Sequence, residues 1–367
     1  MATRADFPDE ILVEIFSRLP AKPIGKFRSL SKSWRKSLSS PHFIKSHLAR
    51  QKSRRQQQAN LILITTMPRS FRCIETINDD DGTISRALNL PAGFRSNILV
   101  PCDGLILLII DRNKMFLANP ITLEQVEIPN PPLFCDELVM YDYFSPLYGL
   151  VYDSVNDDYK VVEVFFVSNF RRIFDIYSVK TGVRKMIKSP PVINTYPPNY
   201  PLAASFNGAI HWLAGGYKLV GEIHALDVAN EVCFEIPVPS DIRASSVLRV
   251  LGGCLCIIDD QSNGEWTDVW IMKEYGMADS WTKLTVPKTV YDPCLRAPLK
   301  PLCFIRDEEE VVLVKNEQLV VHNVKEGTSR DLVVDGIART VLDGLAFVDS
   351  LVSPTALWGH GGEQAND

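Results

Sequence analysis

No apolar run in this chain is long enough to cross a bilayer. The stretch from Gly104 to Ile110 is typical of its longest, whereas a spanning helix needs roughly 20 apolar residues. The first ten residues already hold Arg4, Asp6, Asp9 and Glu10 with no apolar segment behind them, so no secretory leader is expected. Cysteine is scarce. Eight residues, at 73, 102, 135, 233, 254, 256, 294 and 303, are too few for a disulfide framework in 367, and reduced thiols are expected. The 20 Gly and 24 Pro follow no short period, which excludes collagen-like and low-complexity chains. P-loop, G-x-G-x-x-G, G-x-S-x-G and H-E-x-x-H signatures are all missing. What is present is ordinary globular material, 46% hydrophobic and 23% charged, enough for two or three domains.

The net charge of −5 is unevenly divided. Residues 1–58 carry 13 Lys and Arg against four Asp and Glu, an excess of nine positive charges, and the remainder carries 26 basic and 40 acidic residues. A basic head on an acidic body points to two units. The run Arg50, Lys52, Arg54, Arg55 reads as a solvated helix end or linker. A nucleic-acid arm would want aromatic or Arg-rich reading elements nearby, and none stands out.

The head is helical. Ile11, Leu12, Ile15, Phe16 and Leu19 draw one apolar stripe behind Pro8, with Asp9 and Glu10 in the first turn and Pro20 as a stop. Pro23 opens a second short helix with Ile24 and Phe27. Leu30, Trp34 and Leu38 form a third stripe, and Ser40-Pro41 caps a fourth helix holding Phe43, Ile44, His47 and Leu48. So small a unit should lean on the body or on a partner, and its surplus of apolar residues suggests a protein-binding face.

Residues 7–48 resemble an F-box. The resemblance is carried by Phe7-Pro8, the Ile11/Ile15/Leu19-Pro20 frame, Lys22, Phe27-Arg28, Leu30-Ser31-Lys32, Trp34, Leu38 and Phe43. Two positions depart from the pattern: Phe7 replaces Leu, and Gly25 stands where a large aliphatic is usual. The resemblance implies docking onto a Skp-type adaptor and through it a cullin-RING ubiquitin ligase, with Pro8, Ile11, Ile15, Leu19, Pro20, Ser31 and Trp34 on the adaptor face. It also implies an acidic adaptor, which suits a basic module.

From Leu61 the texture changes to short β-branched and aromatic runs broken by Gly, Pro, Asn and Asp. A loose unit recurs, as in Cys102-Asp103-Gly104-Leu105, Phe206-Asn207-Gly208-Ala209 and Leu251-Gly252-Gly253-Cys254. Third-strand exits fall near Asn78, Asn119, Ser178, Asp227, Lys273 and Asn323, at intervals of 41, 59, 49, 46 and 50 residues. That period predicts propeller blades, six of them, with Gly344 to Val348 returning to the first blade to close the ring. Two β-sandwiches are the competing architecture. The segments Gly149 to Ser154 with Asp158 to Val162, and Val269 to Tyr275 with Ser280 to Lys283, resemble the plant F-box-associated domain. That family includes regulators of immune receptors and the S-locus F-box proteins, so an immune receptor is one target class implied.

The expected fold is therefore a small all-α N-terminal F-box plus an all-β domain, a six-bladed β-propeller. The expected boundaries are 1–48 F-box, 49–60 basic linker or helix end, 61–353 propeller and 354–367 flexible tail.

A search for chemistry yields little. Cys254 and Cys256 share a strand face but lack further metal ligands at useful spacing, so core packing is preferred. Asp79 to Gly82, Asp157-Asp158 and Asp259-Asp260 read as hairpin turns. His211-Trp212 on an apolar strand reads as core, although propeller glycosidases bring acids and aromatics to the channel.

No catalytic residue, metal or cofactor is expected. The expected partners are the Skp-type adaptor, its cullin-RING complex and an unidentified target protein. No nucleic acid or membrane insertion is expected, and the expected location is cytoplasm or nucleus. The target is expected on propeller loops, for which Arg171, Arg172, Tyr196, Tyr200 and Tyr217 are candidates, with Arg69, Arg72 and the loop from Ser189 to Pro201. Two other readings stand beside this one: a scaffold that does not promote ubiquitylation, and a carbohydrate-active propeller enzyme.

Overall fold

The computed structural model describes residues 9–54, 60–66, 69–74, 83–88, 97–110, 114–131, 146–167, 171–188, 203–215, 220–240, 242–243, 245–260, 265–287, 299–335, 337 and 340–358. Four helices open it: α1 (Asp9–Phe16), α2 (Ala21–Leu30), α3 (Lys32–Leu38) and α4 (Pro41–Arg54). Pro23 lies inside the first turn of α2 rather than opening it, where its missing N–H costs nothing. The Leu30–Trp34–Leu38 stripe is split, because Ser31 is extended (φ −150°, ψ 142°) and Leu30 turns to solvent. Ser40 does cap α4, its Oγ accepting the Phe43 N–H at 3.3 Å. The boundary expected at residue 48 falls within α4, which continues to Arg54.

Phe16, Ala21, Ile24, Leu38 and Phe43 form the helical core, together with Leu351 from the far end of the chain. Orphan carbonyls at helix ends are met by side chains. The Leu19 carbonyl meets His47 Nε2 at 2.9 Å and Gln51 Nε2 at 3.1 Å, and the Leu38 carbonyl accepts the Arg28 guanidinium at 2.7 Å.

The body is six antiparallel four-stranded blades, one of them extended by a short fifth strand. Blade 1 holds β1 (Asn60–Thr66), β2 (Arg69–Ile74) and β3 (Thr83–Leu88). Blade 2 is β4 (Asn97–Cys102), β5 (Leu105–Ile110), β6 (Lys114–Ala118) and β7 (Gln125–Ile128). Blade 3 is β8 (Leu147–Asp153), β9 (Asp158–Val167), β10 (Arg171–Ser178) and β11 (Arg184–Lys188). Blade 4 is β12 (Ala204–Phe206), β13 (Ala209–Gly215), β14 (Val220–Asp227) and β15 (Val232–Pro237). Blade 5 is β16 (Val247–Leu251), β17 (Cys254–Asp260), β18 (Trp266–Met272) and β19 (Trp281–Pro287). Blade 6 is β20 (Lys300–Ile305), β21 (Glu310–Lys315), β22 (Gln318–Asn323) and β23 (Ser329–Asp331).

The chain then returns to blade 1. The short β24 (Val334–Asp335) lies parallel to β3, and β25 (Val341–Phe347) pairs antiparallel with β1 as its innermost strand. This is the closure the apolar stretch 344–348 predicts. The first strands β25, β4, β8, β12, β16 and β20 touch in that order and back to β25, so no sheet edge is left at the centre. Six apolar clusters fill the six gaps between neighbouring blades. The ring is therefore held by side chains between sheets, and each blade needs both neighbours to bury its faces.

The recurring sequence unit is a hairpin. Asp103-Gly104, Asn207-Gly208 and Gly252-Gly253 each join a first strand to a second in two residues, with positive φ at both positions. That is the backbone a two-residue primed turn demands. A second recurrence sits where third strands end. Asn119, Asp227 and Asn323 each accept the N–H groups two and three residues on through Oδ1, at 2.8–3.2 Å. Asn78 and the Asp79–Gly82 segment lie outside the described residues. Asp157 lies in the turn between β8 and β9, as expected, whereas Asp158 is already the buried first residue of β9, paired with Asp153. Asp259-Asp260 is not a turn: both residues end β17, and buried Asp259 accepts Ser246 Oγ at 2.7 Å and Arg243 Nε at 3.1 Å.

The helices sit on one face of the ring. Lys45 pairs with Asp157 at 2.7 Å, Lys52 with Asp103, and the Ala21 N–H donates to Asp349 Oδ2 at 2.6 Å. Ile44 and Leu48 of α4 join the cluster between blades 2 and 3. The segment expected as a flexible tail begins instead with a helix, α5 (Pro354–Trp358). Thr355 Oγ1 donates to Glu124 at 2.7 Å and Leu357 packs on the same cluster, because an apolar helix end finds an open blade edge there. The rest of that tail lies outside the described residues.

Candidate functional site

On the helical module, Ile11 and Ile15 are one turn apart on α1 and are 46% and 49% exposed, while Leu30 at the end of α2 is 70% exposed. Three large aliphatics are thus left in water on a module whose core is filled by other residues. Pro20 is also exposed, and Leu19 and Ser31 are half-buried. Pro8 lies outside the described residues.

Trp34 behaves differently from a free anchor. It is half-buried, with its ring 5.3 Å from Phe16 and 6.0 Å from Phe27, so part of it supports the helical core. Gly25 faces open space, with nothing within 4 Å of where a Cβ would stand, so its missing side chain is missing from the surface and not from the core. On the same helix as Ile11 and Ile15, Glu14 accepts hydrogen bonds from Arg50 and Arg18, which hold its carboxyl down at about 2.

Of the expected target candidates, the loop from Ser189 to Pro201 lies outside the described residues, while the strand ends that flank it, Lys188 and Ala204, and the ends Gly215 and Val220 lie on the side of the ring away from the helices. Tyr196, Tyr200 and Tyr217 lie outside the described residues. Arg171 begins β10 on that same side. Arg172 is not the exposed loop residue expected. It is 4% exposed within β10, with its guanidinium 5.4 Å from the Trp212 ring centroid in the next blade. Its flat cation covers an indole face that would otherwise meet water. Arg72 is half-buried on β2.

A cavity of about 650 Å³ runs down the axis, lined by the six first strands. Among the described lining residues the two carboxylates are each held by cations. Asp103 at the helical end pairs with Lys52, while Asp343 meets Arg249 at 3.1 Å and Lys300 at 3.2 Å. Burial pushes the Asp343 carboxyl up, but the two cations outweigh it and leave it below its ordinary value. Arg249 and Asp343 escape a motif search because 94 residues separate them. Their signal is positional: Val247-Leu248-Arg249 and Val341-Leu342-Asp343 occupy the same place in two first strands.

His211 is core, as expected. It is fully buried, with Nδ1 3.1 Å from the Ala204 carbonyl and Nε2 2.7 Å from the Tyr275 hydroxyl. Burial drives its pKa down to about 4, and a neutral ring that donates from Nδ1 and accepts the Tyr275 O–H fits both contacts. Cys256 is likewise buried, its thiol pushed up to about 12, and Cys254 is half-buried, consistent with core packing.

Comparison with known proteins agrees with this architecture. An F-box domain model matches residues 5–46, and the F-box associated beta propeller domain model matches residues 61–353. The F-box protein CPR1 of Arabidopsis thaliana is 28% identical over 351 residues, covering 86% of this chain and 81% of its own. The F-box/kelch-repeat protein At3g23880 of the same plant is 26% identical over 370 residues, covering 96% of this chain and 97% of its own. Among solved structures, a chain of the nidogen/laminin complex aligns with a TM-score of 0.44 at 9% identity, over 80% of this chain and 99% of that one, too slight a likeness to bear on function. With an F-box seated on a closed six-bladed ring, this chain belongs to the family of F-box proteins that carry an F-box associated β-propeller domain.

Proposed function

We propose that this chain is a non-catalytic substrate receptor of a cullin-RING ubiquitin ligase. Its F-box binds a Skp-type adaptor through the ridge of Ile11, Ile15 and Leu30, flanked by Leu19, Pro20, Ser31 and Trp34. Its propeller presents a target protein from the face away from the helices. The observation that carries the reading is the exposure of that ridge, 46%, 49% and 70% for the three aliphatics, on an otherwise well-packed module. Proximity is the mechanism: holding the target beside the ubiquitin-charged enzyme raises the effective concentration of its lysines and sends it toward degradation.

The test is co-expression with a Skp-type adaptor and capture of a one-to-one complex. Ile15→Asp puts a charge into the ridge without removing core packing. It should weaken capture at least tenfold and leave the melting temperature unchanged. Trp34→Ala should weaken capture and also lower the melting temperature of the helical module, because the ring supports Phe16 and Phe27. No complex with folded wild-type protein, or wild-type capture by Ile15→Asp, would overturn the proposal.

A further inference from the structure

We infer that the outer part of blade 4 holds a divalent transition-metal site made of Glu222, His224 and Glu235. The register assembles it. Glu222 and His224 stand two apart on β14 and so share a face, and Glu235 of β15 is the direct cross-strand partner of His224. His224 Nε2 lies 3.4 Å from Glu222 Oε1 and 3.6 Å from Glu235 Oε1, and the three atoms all fall within 4.8 Å of one another. Those separations are long for hydrogen bonds, which favour 2.7–3.2 Å. They match the edge of a coordination tetrahedron, which for bonds of roughly 2.0–2.2 Å is about 3.4 Å.

The chemistry of the donors agrees. His224 is 4% exposed, and its Nε2 faces the two carboxylates with the Arg172 cation nearby. Glu222 and Glu235 are 39% and 59% exposed, which leaves a route for the ion and a fourth position for water. Trp212 packs edge-on to His224, with centroids 6.1 Å apart, and fixes the ring. Nitrogen with two carboxylates suits Zn²⁺ better than Mg²⁺ or Ca²⁺, which prefer all-oxygen shells. The Arg172 charge opposes the ion, so a micromolar rather than nanomolar dissociation constant is expected. No histidine-cysteine spacing in the sequence announces this site, because its ligands come together only through strand register.

The test is calorimetric titration of the full-length chain with Zn²⁺ alone in a non-chelating buffer, with thermal melts in parallel. One Zn²⁺ per chain and a raised melting temperature are expected. Glu235→Gln removes a ligand at an exposed position and should weaken binding at least tenfold without affecting the metal-free melt. His224→Ala should abolish binding, whereas Cys233→Ser, at the exposed thiol on the strand of Glu235, should leave it unchanged. Absence of Zn²⁺ binding, or binding that survives Glu235→Gln and disappears in Cys233→Ser, would overturn the assignment.

Discussion

Glu163 shows how one residue's surroundings reverse its ordinary behaviour. It is 4% exposed on β9, directly across from Asp175 of β10, with Arg184 of β11 as their shared cation. Burial first, and the Asp175 charge second, push its pKa up to about 7 against the pull of Arg184. The folded state therefore keeps a proton that the unfolded chain releases near its ordinary value of 4.5. Stability should fall as pH rises through that window and level off above about 7. Glu163→Gln needs no proton, so its melting temperature should not show this fall. Relative to wild type it should gain on the order of 3 kcal/mol by pH 8 and little at pH 4.5. Melts across pH 4.5–8 check this, and parallel curves for the two proteins would contradict it. At this scale the sequence was partly legible. It marked His211 and Cys256 as core, and both are buried. It misjudged Arg172, because an Arg beside a loop reads as surface until the neighbouring blade brings Trp212 against it.

Among elements, the decisive contacts are those between one blade's turn and the segment that follows ring closure. Asn119 is fully buried at the end of β6. Its Nδ2 donates to the carbonyls of Ser350 and Val352 at 3.0 and 2.7 Å, while its Oδ1 accepts two N–H groups of its own turn. Asn119→Ala would leave several of these groups buried and unpaired and should cost about 2–4 kcal/mol, measurable by denaturant unfolding. Gly104 is constrained from the same side. Its φ is +81°, and a Cβ there would stand 2.1 Å from Ser350 Cβ and 2.6 Å from the Val348 carbonyl oxygen. Gly104→Ala should therefore destabilise by more than the backbone penalty alone, whereas the same change at Gly208, with φ +76° and open space, should show only that penalty. Comparison of the two melts separates crowding from strain. The primed turns were readable from Asp-Gly, Asn-Gly and Gly-Gly. The crowding at Gly104 was not, since it comes from residues more than two hundred positions away.

For the whole molecule, closure by β25 is the event on which everything else depends. It supplies the inner strand of blade 1, completes two inter-blade clusters, and delivers Asp349 and Leu351 to the helical module. Truncation after Thr340 should abolish cooperative unfolding and yield aggregates by size-exclusion chromatography, because β1 and the first strands beside it would expose open edges. A monomer that melts like wild type would refute this dependence. The sequence by itself determined the helical head, the blade period, the turn chemistry and the returning strand, since each is written in local periodicity and in residues whose backbone preferences are intrinsic. Only the tertiary structure decided which face carries the helices, that 354–358 docks as a helix, that Asp259 is a buried acceptor, and that Glu222, His224 and Glu235 converge. These are products of strand register and of packing between blades, where residues distant in the chain become neighbours, and no local pattern encodes that distance.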